Sequence, residues 1–412
     1  MRPANRGDPT TMIRVVHSNP IWLPQTQTWV HTQVTCIPAA KVENHVVCER
    51  TENLDQFPVR HLHDFSKAGW IERTWDRGLR RIGLRRYPGY LVRVARRVGA
   101  SIIHSHFGDV AWANLGAARA ARCRHIATFY GYDMSYLPKT DFWRIRFKEL
   151  FRRIDLVLCE GPHMARCIAK LGCPVTKIRV HHLGIVLQNL PFRPRRWTPG
   201  EKLRVLIAAT FTEKKGIPYA LEALAKLRGH VELEITVIGD ARQESEESKR
   251  QKAQILSAIQ TLGLANNVRL LGYRPHSTLI EEAYMHHIFL SPSVTAGDGS
   301  TEGGAPVSII EMAATGMLIV STRHCDIPEV IHDRKTGFLA DERDVDGLVD
   351  CLLLAIHGPE RWPQILANGR AHIEAEYNAE TQGERLATHY EGVVNRDLTG
   401  PLSPGRIATP PC

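Results

Sequence analysis

The sequence predicts an α/β protein built as two doubly wound, Rossmann-like domains facing across a cleft. Three observations carry this expectation. At 412 residues the chain exceeds what one ordinary core holds. Short β-branched runs alternate with helical stretches, the order that builds parallel sheets. The alternation breaks at a proline-rich basic segment and then starts again.

The first array holds the strand-like runs MIRVVHS, ASIIHSHFG, HIATFYG, DLVLCEG and IRVHHLG, with helical stretches such as WANLGAARAARC and PHMARCIAKLG between them. It is expected to span 12–190 as the first domain. Residues 191–202, with three prolines and a basic cluster, read as a linker. The second array spans 203–378 as the second domain. Its strand-like runs are LRVLIAAT, LEITVIGD, VRLLGY, IFLSPS, LIVST and GFLAD, with helices such as YALEALAKL, STLIEEAYM and VSIIEMAA. A last helix, 379–398, is expected to pack back on the first domain. Residues 1–11 and 399–412 are expected to be a disordered leader and tail. In such sheets ligands sit at the carboxyl ends of strands, so residues just after strands are the informative ones.

Bulk properties narrow the function. No apolar run approaches the ~20 residues of a membrane-spanning helix, and the N-terminus lacks the apolar core of a signal peptide. Nine irregularly spaced cysteines fit reduced thiols, hence a cytoplasmic location. No HExxH or CxxC motif marks a metal site, and none is expected. The net charge of +10 suits phosphorylated ligands or an anionic membrane surface. Nucleic acid has only this charge, and no recognition motif, in its favour. Two basic segments with interleaved aromatics, 73–99 and 141–155, are candidates for peripheral membrane contact; core-facing helices with solvated basic sides are the competing reading.

The most informative stretch is GDGSTEGGAPVSIIE, Gly297 to Glu311. Pro306 suits the first turn of a helix. Glycines before it let backbone amides approach a ligand, and amides with a helix N-terminus favour a diphosphate. The two glutamates would repel that anion, so they serve hydroxyls instead. A nucleotide sugar supplies diphosphate, ribose diol and hexose hydroxyls together. Ser308 and Glu311 also have the spacing of a capping box, which would leave Glu311 a structural role only.

With TFTEKKG (Thr210–Gly216) and EGGAPVSIIEMAATGMLIVSTRHCDIPEVI (Glu302–Ile331), the chain resembles the retaining, nucleotide-sugar-dependent glycosyltransferases of the GT-B fold, family 4 and group 1. It looks most like the exopolysaccharide, colanic-acid type branch, from about Met12 to Asn395. The resemblance implies that Glu302 contacts the donor sugar and Glu311 holds the ribose. Gly303, Gly304, Ala305 and Pro306 would face sugar and diphosphate. Lys215 would neutralise the departing diphosphate, with Thr210 beside it. No cofactor is implied beyond the nucleoside-diphosphate sugar itself. The acceptor is expected to be a saccharide, lipid-linked, with His106, Tyr130, Asp133, Gln27 and Thr28 on the acceptor side.

Three departures stand out. One extra residue separates Glu302 from Glu311, Ala209-Thr210 replace the family's frequent Gly-Arg, and Tyr130 stands where a histidine is frequent. The alternative to a metal-independent hexosyltransferase is a GT-B protein that binds a nucleotide sugar without transfer.

Overall fold

A computed structural model describes residues 12–24 and 27–395. The expected leader and tail, 1–11 and 399–412, lie outside them. The chain divides into two compact units. One runs to Gly184 and resumes at Ala379; the other is Ile185–Asn378.

In the first unit the strands are β1 (Ile13–Ser18), β2 (Ile21–Trp22), β3 (Val42–Cys48), β4 (Arg50–Thr51), β5 (Leu62–Asp64), β6 (Ile102–His106), β7 (Arg124–Phe129), β8 (Leu156–Cys159) and β9 (Ile178–Val180). Seven of them form one parallel sheet in the order β5-β3-β1-β6-β7-β8-β9. The second unit holds β10 (Leu203–Ala208), β11 (Leu233–Ile238), β12 (Val268–Gly272), β13 (Ile288–Ser291), β14 (Leu318–Thr322) and β15 (Phe338–Ala340), in the parallel order β12-β11-β10-β13-β14-β15. Each sheet reverses its winding beside its first strand, at β1/β6 and at β10/β13. At such a switch the loops leaving two neighbouring strands diverge and open a crevice.

The pattern of the strands follows from this burial. Runs such as IFLS and LIVST are buried along their whole length because helices cover both faces. On one face of the second sheet, Leu221 and Leu224 of the helix Ile217–Leu227 pack with Val205 and Leu290. On the other, Ile309, Ile310 and Met312 of the helix Val307–Thr315 pack with Leu206 and Phe289.

The last helix, Ala379–Val394, belongs to the first unit. Its Leu386, Ala387 and Tyr390 pack on residues of β1, β6 and β8. A polar tie reinforces this contact. His104 on β6, fully buried, meets the Tyr390 hydroxyl at 2.7 Å through Nδ1 and Thr128 Oγ1 at 2.7 Å through Nε2.

The segment 191–202, expected to be a linker, is instead packed into the second unit. Trp197 joins its core. Arg195 is 8% exposed and donates to the carbonyls of Ala283 (2.7 Å), His286 (3.0 Å) and Thr315 (3.2 Å). A planar guanidinium satisfies several carbonyls at once, which lets a basic residue enter an apolar interior. Composition marked the segment as a loop without showing that its arginine turns inward. Arg195→Ala should therefore lower stability by about 3 kcal/mol in urea denaturation, because the carbonyls lose their donor; a loss below about 1 kcal/mol would return the segment to a surface role.

Candidate functional site

The crevice at β10/β13 collects the charged residues of the second unit. β10 ends at Ala208, and the loop after it closes in a tight turn, Glu213–Lys215. Gly216 follows with φ +63°, and a Cβ there would lie 1.9 Å from Pro292 O. Only glycine allows this approach of the two loops, and the approach sets Lys215 beside the loop that leaves β13. That loop carries Glu302 before the helix Val307–Thr315 begins.

The two meet directly. Lys215 Nζ lies 2.7 Å from Glu302 Oε1, and Lys214 Nζ lies 3.4 Å from Oε2. Ser293 Oγ donates to Oε1 at 3.0 Å, and the Glu302 side chain is 6% exposed. Burial alone would raise the Glu302 carboxyl, but the ammonium groups of Lys215 and Lys214 outweigh it and hold the group down to about 2. Burial pushes the Lys215 ammonium down while Glu302 opposes it. The charge of Lys214 and that of Arg242, which follows β11, add to the positive field at Lys215.

A buried support fixes the Glu302 backbone. His324, just past β14, accepts the Glu302 N–H at 3.1 Å through Nε2. Its Nδ1 therefore carries the proton and donates to Glu342 Oε1 at 2.7 Å. Glu342 also accepts the Thr295 N–H at 2.6 Å, so one carboxylate restrains both parts of the loop. Lys214, Ser293, His324 and Glu342 were not singled out from the sequence, although Ser293 and His324 each stand two residues past a strand. That position was the available signal.

The glycine-rich stretch divides its amides. Gly297 N–H is taken by Glu213 at 2.8 Å and Gly303 N–H by Thr301 Oγ1 at 3.2 Å. Gly303 and Gly304 are buried, whereas Ala305 and Pro306 are half-buried. The helix Val307–Thr315 begins without a side-chain cap. The capping box proposed for Ser308 and Glu311 does not form. Glu311 instead accepts from His276 Nε2 at 3.0 Å, and this hydrogen bond raises the imidazole. Thr210 is half-buried in the loop after β10.

In the first unit the expected acceptor-side residues separate. His106, Tyr130 and Asp133 are buried at 0%, 2% and 0% exposure, so none presents its side chain to solvent. Asp133 accepts the Gly108 and Tyr130 N–H groups, each at 2.8 Å, and acts as a helix cap. His106 lies 3.1 Å from His17 Nδ1 and 2.8 Å from the Tyr130 hydroxyl. A strand-end position did not reveal that these side chains turn into the unit. Gln27 opens the helix Thr28–Thr35, its Oε1 buried without a hydrogen bond, and Thr28 is exposed.

Nitrogens of His17, His104 and His106 lie within 4.8 Å of one another, a spacing a metal ion accepts. Every ring nitrogen already faces a protein partner, however: Asn44 and His106 for His17, Tyr130 for His106, Tyr390 and Thr128 for His104. Burial holds His17 down to about 4 and His106 well below its usual range. The cluster fits a neutral, hydrogen-bonded core better than a ligand set.

A cavity of about 300 Å³ opens at the carboxyl ends of β1 and β3, lined by Asn19, Glu49, Tyr90, Asp109, Trp112 and Trp143 among others. Asn19 is 4% exposed and its Nδ2 has no partner. A buried amide without a partner in the wall of a cavity is an unsatisfied donor. None of these residues was singled out from the sequence, because they come from five separate elements.

The family model for glycosyl transferases group 1 matches residues 192–372, and that for glycosyltransferase family 4 matches 26–189. The amylovoran biosynthesis glycosyltransferase AmsK of Erwinia amylovora is 32% identical over 306 residues, 73% of this chain and 72% of that protein. The putative colanic acid biosynthesis glycosyltransferase WcaL of Escherichia coli K12 is 29% identical over 303 residues, 72% and 71% of the two chains. Among solved structures, Anabaena HepE in complex with UDP and glucose superposes with TM-score 0.70 at 15% identity, covering 92% of this chain and all of that one. Sucrose-phosphate synthase of Thermosynechococcus elongatus superposes with TM-score 0.72 at 15% identity, covering 92% and 99%. At such identities these structures speak for the fold.

The support of the Glu302 loop is open to test. His324→Ala should lower stability by about 1–2 kcal/mol, since the Glu302 N–H and the Glu342 carboxylate both lose a partner. Urea denaturation at neutral pH reads it. An unchanged midpoint would mean that the loop holds itself.

Proposed function

Since the chain belongs to the glycosyltransferases of family 4 and group 1, with the GT-B fold, we propose that it moves a hexose, with retention of configuration, from a nucleoside-diphosphate sugar to a lipid-linked saccharide. The observation that carries this reading is the Lys215–Glu302 pair at the β10/β13 switch, beside an uncapped helix N-terminus. The amylovoran and colanic acid biosynthesis names of AmsK and WcaL support a place in exopolysaccharide biosynthesis; action on the cytoplasmic face of the membrane is part of the proposal.

The residues divide the work as follows. A diphosphate competes with Glu302 for Lys215. When the anion arrives, Lys215 and Lys214 turn to it, and the N-terminus of the Val307–Thr315 helix adds its partial positive charge. Glu302 is released to accept a hexose hydroxyl. Glu311 exchanges His276 for the ribose hydroxyls. As the diphosphate departs its negative charge grows, and these fixed cations and amides stabilise it with no metal required. Lys214, and Arg242 at longer range, supply the charge that Thr210 lacks where the family often has arginine. On the acceptor side, the Asn19 cavity takes a saccharide: Asn19 donates, Glu49 and Asp109 accept hydroxyls, and the aromatic walls meet apolar ring faces. Gln27 and Thr28 lie on the loop and helix that follow β2.

A panel of uridine, guanosine and adenosine diphosphate sugars, scored for binding and for hydrolysis or transfer, tests the reading. One donor should bind and turn over; binding with no turnover on any acceptor would assign a non-catalytic binding protein. Lys215→Ala should weaken that donor by about 10- to 100-fold, the loss of one charge-assisted contact. Glu311→Ala should weaken the donor similarly while leaving affinity for inorganic pyrophosphate unchanged, because Glu311 serves the ribose. Unchanged donor affinity in either variant removes that residue from the site.

A further inference from the structure

The helix Trp70–Arg81 is built inside out. Its inward side is ionic. Asp76, 2% exposed, accepts the Gly89 N–H at 2.7 Å and is flanked by Arg85 and by Arg80 at 3.2 Å. Arg80 continues to Glu49 at 2.6 Å. The outward side is apolar and open. Trp70 and Trp75 are 74% and 70% exposed, and Ile71, Ile82 and Leu84 are 66%, 69% and 75% exposed. Trp70, Ile71, Trp75 and Ile82 follow the i, i+1, i+5, i+12 spacing of one helical face, opposite Asp76. Arg77 and Arg81, both exposed, flank that face. Residues 70–86 hold six arginines against two acids.

Large apolar side chains in contiguous display mark a surface that something covers. The charge selects what. A second copy seated face to face would bring the flanking arginines against their own counterparts. An anionic surface would be drawn to them. Tryptophan favours the boundary between headgroups and acyl chains, and arginine stems lie along apolar surface while their heads reach polar groups. A helix with tryptophan and isoleucine on one side and arginine at its flanks meets both demands of a bilayer interface.

We propose that Trp70–Leu84 lies in the plane of an anionic bilayer and anchors the enzyme there without crossing it. Asp76 holds the helix to the unit from behind, so the tryptophans are presented on a fixed platform. No helix among the described residues is long and apolar enough to cross a membrane. The anchor draws its purpose from the proposed lipid-linked acceptor, but it stands or falls without any transfer.

The test uses the full chain, with vesicles of phosphatidylcholine alone and of phosphatidylcholine with phosphatidylglycerol, in a flotation assay without donor. The protein should float with the anionic vesicles, not with the neutral ones, and added salt should release it. The double variant Trp70→Ser with Trp75→Ser should lose about tenfold or more of this binding, while its circular dichroism and its unfolding midpoint stay those of the wild type, which shows the fold intact. Arg77→Glu with Arg81→Glu should abolish the preference for anionic vesicles. Wild-type protein that floats with neither vesicle, or tryptophan variants that float as well as wild type, overturn the proposal. A dimer that the tryptophan variants dissolve would assign the face to a second copy and overturn it too. Vesicle binding without glycosyl transfer would leave the anchor standing and count against the transfer reading alone.

Discussion

The site of the second unit depends on one contact, the buried pairing of Glu302 with Lys215 and Lys214. A carboxylate at 6% side-chain exposure needs a counter-charge. The parallel sheet supplies it. β10 and β13 are neighbouring strands, so the loops that follow them start side by side, and Gly216 lets them meet at Pro292 before they diverge. His324 and Glu342 then hold the Glu302 backbone from beneath. On the proposed reading, Glu302 stands where an anionic ligand would reach the two lysines, and arrival of that ligand would free the carboxylate as an acceptor.

Much of this was legible in the sequence, and what was not has physical reasons. The alternation of elements is a local property, written in β-branched runs and helical periodicity; it marked all six strands of the second sheet and five of the seven in the first, and missed β3 and β5. Glu302 was visible in the glycine-rich stretch that follows IFLSPS, and Lys215 through the resemblance carried by TFTEKKG. The direction of a side chain at a strand end is not local. His106, Tyr130 and Asp133 were placed correctly along the chain, yet their burial depends on His17, Gly108 and other residues that arrive from different elements. Arg195 shows the same limit in reverse: a basic residue between prolines reads as solvated until three carbonyls from other elements are seen to surround it.

The charge of the chain is likewise unevenly used. Lys214 and Lys215 are directed at one carboxylate, and Arg195 at backbone carbonyls. The arginines around Trp70–Arg81 divide between an inner ionic hub at Asp76 and an outer rim beside exposed tryptophans. On the two proposals, part of the net charge of +10 serves an anionic ligand and part an anionic surface.

Affinity of Glu302→Gln for uridine and guanosine diphosphate, without sugar, tests the central claim most directly. If the carboxylate holds Lys215 until an anion displaces it, its removal frees both lysines. The variant should then bind the diphosphate of the preferred donor more tightly than wild type, by about tenfold, while turnover of the sugar nucleotide falls. Weaker diphosphate binding in this variant would contradict the account, because Glu302 would then be assisting the anion rather than standing in for it.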